Sequence, residues 1–234
     1  MAALLAALAV ALGSATQALT GFGFSLVSAP FLIAAYRAPT GVQLTLLLSV
    51  VLNAVLLLRE LRKVDVRAAA LLLGPALAVT VPAAYVVRHV APRPLTVTAG
   101  LACLAGVASL AGGRRSRLLA GRRGPAAAGV ASATMNVVSG MSGPPVVLYA
   151  VNAGWPPDRA RPTLQLYFLG LNSTALAVLG WPARLPLTVL PGVAVGLLLG
   201  AVLARRPSDG LVRWVTLIIA GVGSLLAVGR GLIG

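Results

Sequence analysis

Apolar runs separated by short breaks of glycine, proline or arginine cover almost the whole chain. The runs fall at about 2–19, 23–36, 42–58, 68–87, 94–111, 125–139, 144–153, 162–180, 187–204 and 211–230. Stretches such as 44–58, 68–87 and 187–204 approach the ~20 residues a helix needs to cross a bilayer. The pattern predicts ten helical segments of an all-α integral membrane protein and leaves no room for a soluble domain. Segments 23–36 and 144–153 are short, and each follows a glycine break. Matching short, broken segments are the sequence mark of discontinuous or re-entrant helices in transporters. The first run resembles a signal peptide in length but lacks a positively charged leading region, so it is read as a retained helix.

Composition supports the bilayer reading. Hydrophobic residues make up 59% of the chain, charged residues 10%, and mean hydropathy is +0.95, far from a soluble domain. A net charge of +15 raises a nucleic-acid partner, but that needs basic and aromatic residues on a folded polar surface. Here the arginines stand in clusters between apolar runs, where positive charge marks cytoplasmic loops. With the densest cluster (Arg114, Arg115, Arg117, Arg122, Arg123) placed inside, loops 59–67, 112–123, 154–161 and 205–213 also fall inside. They hold fourteen of the nineteen basic residues and all four acids, Glu60, Asp65, Asp158 and Asp209. Arg37, Arg88, Arg93, Arg184 and Arg230 remain outside. This count requires 1–36 to form a hairpin from the outer face and 125–153 a hairpin from the inner face. A hairpin plus three crossings is odd, so the halves are oppositely oriented, with both termini outside. The expected units are a first repeat at 1–111, a basic cytoplasmic linker at 112–124 and a second repeat at 125–234.

A shift of 119 positions supports the duplication. It places Gln17 on Asn136, Thr20 on Ser139, Gly21 on Gly140 and Asn53 on Asn172, while 105–110 resembles 220–225 at a slightly shorter offset. The breaks, Thr20-Gly21-Phe22-Gly23-Phe24-Ser25 and Ser139-Gly140-Met141-Ser142-Gly143-Pro144-Pro145, each read as a turn followed by a new helix N-terminus. Such an end presents free amides and partial positive charge, an anion site without lysine or arginine. Hairpins from opposite faces are expected to bring both breaks together at mid-bilayer, where irregular backbone must be buried or line a cavity. Thr45, Ser49 and Asn53 share one helical face, as do Gln165 and Asn172. The candidate substrate-binding set is therefore Gln17, Thr20, Gly21, Gly23, Ser25, Asn53, Asn136, Ser139, Gly140, Ser142, Gly143, Tyr149, Gln165 and Asn172. Gly106 and Gly196 are read as packing glycines, and Trp155, Trp181 and Trp214 as interfacial anchors. Arg159 and Arg161 are read as inner-loop charges that could also gather anions at the entrance.

Lone Cys103 and lone His89 can assemble neither a metal site nor a catalytic dyad. No metal, cofactor or catalytic residue is therefore expected.

The string Asn136-Val-Val-Ser-Gly-Met-Ser-Gly-Pro-Pro-Val-Val-Leu-Tyr149, with Trp155-Pro-Pro-Asp-Arg-Ala-Arg161 and Leu166-Tyr-Phe-Leu-Gly-Leu-Asn172, resembles the sulfite exporter TauE/SafE family, also called the toluene sulfonate uptake permease family. Ser139 to Pro145 is its most specific part, and Gly21-Phe22-Gly23-Phe24 is similar to a glycine-poorer variant of the first-half motif. The resemblance implies a bacterial inner-membrane carrier for sulfite or small organosulfonates, working mostly in export.

No Asp or Glu lies inside an expected span, so no carboxylate proton relay is at hand. The expectation is electrogenic, facilitated efflux by alternating access about a midplane site. The partners expected are a small anion and the lipid bilayer, with a homo-oligomer left open. The rivals are a membrane-embedded enzyme acting on a lipid or sulfur compound, which lacks a nucleophile, base and orienter set, and a structural membrane subunit.

Overall fold

The computed structural model describes residues 2–112, 119, 121–183, 185–203 and 209–233. Among them the chain is all-helical: α1 (Ala2–Thr20), α2 (Phe24–Tyr36), α3 (Thr40–Glu60), α4 (Val66–Arg88), α5 (Pro92–Gly112), α6 (Gly124–Ser139), α7 (Gly143–Asn152), α8 (Pro157–Leu179), α9 (Leu190–Leu203) and α10 (Asp209–Ile233). All ten lie where the apolar runs predict them. The main departure is α8, expected from 162 but starting at Pro157. Pro157 at the first helical position and Asp158 in the first turn suit a helix start, and their polarity hid that turn from a reading based on apolar runs. Arg159 and Arg161 are therefore helical residues. Arg114, Arg115, Arg117, Arg184, Arg205 and Arg206 lie outside the described residues.

Unlike a water-soluble bundle, the protein carries large apolar side chains on its outside and buries several polar ones within its apolar core. Leu58, Val86, Leu187, Leu198, Ile218 and Leu225 are each more than 60% exposed, whereas Gln17, Asn53, Asn136, Gln165 and Asn172 are buried. Apolar surface turned outward, with polar side chains kept inside, is what a hydrocarbon solvent selects. α1, α3, α4, α5 and α10 are long and apolar enough to cross a membrane. α8 has 23 residues, but Gln165 and Asn172 make it more polar, and its neighbours α3 and α4 shelter it.

Close helix contacts rest on glycine. α1 packs along α9, α4 along α6, α3 along α8 and α5 along α10. A Cβ at Gly196 would lie 2.2 Å from the Ala11 carbonyl oxygen, and one at Gly129 2.3 Å from that of Leu72. These are backbone-to-backbone approaches that small residues permit between membrane helices. Gly106 gives room to the Met141 sulfur, 2.6 Å from where its Cβ would stand. Both Gly196 and Gly106 thus serve packing, as the sequence suggested.

The two hairpins have unequal arms. α1, with 19 residues, is about 28 Å long and matches the ~30 Å hydrocarbon core, while α2, with 13 residues, reaches about 20 Å. α6 and α7 repeat the inequality with 16 and 10 residues.

Candidate functional site

Each break begins with a helix ended by a left-handed glycine. Gly21 (φ 84°) donates its N–H to the Gln17 carbonyl at 2.8 Å, and Gly140 (φ 70°) donates to the Asn136 carbonyl at 2.7 Å. Only glycine takes this conformation without strain. Beyond Gly21 the Thr20 hydroxyl lies between the carbonyls of Thr16 and Phe22 and accepts from the Phe22 N–H. A new helix then starts at Phe24.

Gln17 organises the first break. Its Nε2 donates to Asn53 Oδ1 on α3 and, at 3.2 Å, to Gln165 Oε1 on α8; its Oε1 accepts from the Phe24 N–H at 3.0 Å. Gln165 Nε2 in turn donates to the Gly21 carbonyl at 2.8 Å. Four of the predicted residues, Gln17, Gly21, Asn53 and Gln165, thus form one buried network. In the first turn of α2, helix geometry leaves the amides of Ser25 and Leu26 without helical partners.

The second break is built differently. The Ser132 hydroxyl donates to the Ser142 carbonyl at 2.6 Å, and Ser139 donates to the Met135 carbonyl at 2.8 Å. Asn136 is fully buried, yet neither its Oδ1 nor its Nδ2 has a protein hydrogen-bond partner; the same is true of Asn172 Oδ1. Gly143 opens α7, followed by Pro144. Tyr149 stands at the far end of α7, edge-on to Trp155 with ring centroids 5.6 Å apart, and takes no part in the break.

The breaks do not meet at one point, which corrects the expectation of a single shared pocket. The first lies against α8, where Gly21 faces Arg161 and bonds Gln165; the second lies against α3, where Gly140 faces Thr45 and Val42. Asn53 marks the level of the first break on α3 through Gln17, and Thr45 marks the second. These two positions are eight residues apart, about 12 Å along a helix. The cause is arm length: α1 carries its tip past the middle of the bundle before turning. Between the two levels runs a seam of buried polar side chains on the facing helices, Thr45, Ser49 and Asn53 on α3 with Gln165 and Asn172 on α8.

A cavity of about 430 Å³ opens beside the first break. Thr20, Gly21 and Gly23 form its polar end, Leu26, Leu110, Val147 and Leu164 its apolar wall, and Trp155, Ala160 and Arg161 the side toward the α7–α8 loop. Arg161 is its one charged lining residue among those described. The predicted site set lacked it, although 161 precedes Gln165 by one helical turn on the same face. Trp155, expected as a lipid anchor, turns to this cavity instead, while Trp181 and Trp214 are exposed.

Beside the mouth an ion pair joins the two halves. Arg159 meets Asp65 at 2.7 Å and lies 4.9 Å from the Trp155 ring centre. Asp65 caps α4 through the Ala68 N–H at 2.8 Å, and its own N–H donates to Thr163 Oγ1 at 3.1 Å. The Ala68 amide, aided by Arg159 and opposed by partial desolvation, holds the Asp65 carboxyl below its ordinary value of 3.8. A depressed carboxylate stabilises the fold above its unfolded pKa, and that stabilisation is lost as pH falls through the folded value. Asp65→Asn, which keeps a capping side chain, is therefore expected to melt slightly earlier than wild type at neutral pH. The difference should be small, because part-exposed pairs contribute little. It should shrink as the pH of the melt falls below about 4 and vanish once Asp65 is protonated in the folded protein, and a gap that persists under that acid condition would show that the charge is not its source.

A multi-pass helical bundle with glycine-broken helices, a buried polar seam and a cavity beside the first break is an architecture suited to a membrane carrier. The sulfite exporter TauE/SafE family model matches residues 5–227, and the chain belongs to that family. It is thus a membrane transporter of sulfur-containing anions, in a transporter family rather than an enzyme family. No curated protein and no solved structure matches the chain.

Proposed function

We propose that the chain exports sulfite or a small organosulfonate across a bacterial inner membrane by alternating access, with the anion taken up at the first break and passed along the α3–α8 seam. The observation that carries this reading is the cavity, whose lining combines the basic residue Arg161 with a glycine turn and a helix N-terminus. The anion would meet positive potential there, with no acidic residue among the lining.

Two oppositely oriented repeats, 1–111 and 125–234, are the proposed machinery. The packing supports them. Exchanging the halves turns the α1–α9 contact into α6–α4 and maps α3–α8 and α5–α10 onto themselves. The same 119-residue offset turns the contact of Gly21 with Arg161 into that of Gly140 with Val42. With the basic loops inside, the cavity mouth at Trp155 and Arg161 faces the cytoplasm, and both termini lie outside.

An interior-negative potential drives an anion outward by about 2.3 kcal/mol per charge per 100 mV. In proteoliposomes holding the purified chain, labelled sulfite flux is expected to accelerate when a potassium diffusion potential is imposed in the driving direction. Flux that ignores the potential would remove the electrogenic mechanism. Folded Ser142→Leu and Asn172→Leu are expected to lose both sulfite binding and flux, which a structural subunit or a membrane enzyme would not require.

A further inference from the structure

The two breaks contain matched amide side chains in opposite states. At the first, Gln17 reaches Asn53, Gln165 and the Phe24 N–H, so all its groups are engaged. At the second, Asn136 occupies the place of Gln17 but is one methylene shorter. It is 0% exposed with both side-chain polar atoms unpartnered, and Asn172, in the place of Asn53, is 2% exposed with Oδ1 unpartnered. A buried amide group without a partner destabilises the fold. The first pair holds the fold together. The second is held ready for something that both accepts and donates hydrogen bonds.

The surrounding charge narrows what that can be. α6 packs against α2, α3, α4, α5, α7 and α8. The charged groups these helices and their caps carry stand at or near the helix ends: Arg37, Arg59 and Glu60, Asp65, Arg67 and Arg88, Arg93, Arg123, Asp158, Arg159 and Arg161, with His89 beyond α4. Among the titratable residues Cys103, Tyr149 and Tyr167 are uncharged at neutral pH. Neutral amides can replace water around one negative charge, but a second, without a cation, meets a steeply larger desolvation penalty. Asn oxygens, moreover, need a donor, and among oxyanions only one that carries an O–H supplies it.

We propose that Asn136 and Asn172 form a selectivity site for a singly charged oxyanion that still bears a proton, so that the transported species is hydrogensulfite rather than the sulfite dianion. The amide N–H of Asn136 donates to the anionic oxygen, and an asparagine oxygen accepts from the O–H. No proton leaves the substrate in transit. This rests on the sulfur-anion carrier reading above and sharpens it to one ionic form.

The test uses the full chain in proteoliposomes, with labelled sulfite at fixed total concentration and equal pH on both sides, stepped from about pH 6 to about pH 9. Leakage through protein-free vesicles is subtracted. Methanesulfonate, which does not titrate in this range, serves as the control anion. Sulfite flux is expected to fall about tenfold per pH unit on the alkaline side, following the hydrogensulfite fraction, while methanesulfonate flux stays level. Asn136→Leu is expected to lower the ratio of sulfite to methanesulfonate flux about tenfold, the factor of one hydrogen bond to a charged group. Asn136→Ser, too short to reach, reads the same ratio should the leucine variant not fold. Sulfite flux that is level or rises with pH while methanesulfonate still moves overturns the inference and leaves the carrier reading intact, as does an unchanged ratio in a folded variant. If neither anion moves, the carrier reading itself is lost, and the inference with it.

Discussion

Replacing Gln17 by leucine is expected to abolish sulfite flux and to lower the melting temperature of the purified protein clearly. The substitution keeps side-chain volume but leaves Asn53 Oδ1, Gln165 Oε1 and the Phe24 N–H without their partner inside the bundle. At ~0.6 kcal/mol for each contact between membrane helices the loss is about 2 kcal/mol. It is larger if the orphaned groups bear the full penalty of buried unsatisfied donors and acceptors, ~1–3 kcal/mol each. The functional loss should exceed the loss of stability, because Gln17 fixes the angle at which α2 leaves the break and so where its first amides point. Gln17→Asn shortens the side chain by one methylene and should be intermediate in both readouts. Thermal melts in detergent and labelled-sulfite uptake into proteoliposomes check the pair. A Gln17→Leu protein that melts like wild type would mean that the network does not set the geometry of the first break.

Much of this arrangement could be read from the chain, because a bilayer imposes simple patterns. Apolar runs, most of near-spanning length and two of them short, located all ten helices, and glycines at 21 and 140 located both breaks, since a left-handed helix end has a strong residue preference. The intervals of four among Thr45, Ser49 and Asn53 placed them on one inward face. Depth was not legible. Whether two tips meet or pass each other depends on arm length and tilt, which packing decides; α1 proved long enough to carry Gly21 down to Arg161. The contrast between Gln17 and Asn136 was visible as a repeat position, but one methylene of reach becomes meaningful only when partners 36 and 148 residues away in sequence are in place. Arg161 was missed for a related reason: its polar turn of α8 looked like loop, so a residue lining the cavity passed for a topology signal.

Arg161→Ala should act mainly on apparent affinity. The arginine stem packs on Gly21 so closely that a Cβ there would lie 2.5 Å from Arg161 Cγ, which brings the residue to the polar end of the cavity. A hydrogen bond to a charged partner contributes about 1.5–3 kcal/mol, so KM for sulfite is expected to rise about tenfold to a hundredfold. The maximal rate should change less, because the seam beyond the cavity is untouched. Arg161→Lys keeps the charge but not the planar fork and should recover part of the affinity. Gly21→Ala attacks the same contact from the other side, adding strain at φ 84° and displacing the arginine, and should reproduce the loss without removing any charge. Initial rates against sulfite concentration, at low and high ionic strength, separate a direct contact from long-range attraction, since only the latter fades with screening. An unchanged KM in Arg161→Ala would return this residue to the role of an ordinary inner-face charge and move anion capture away from the cavity.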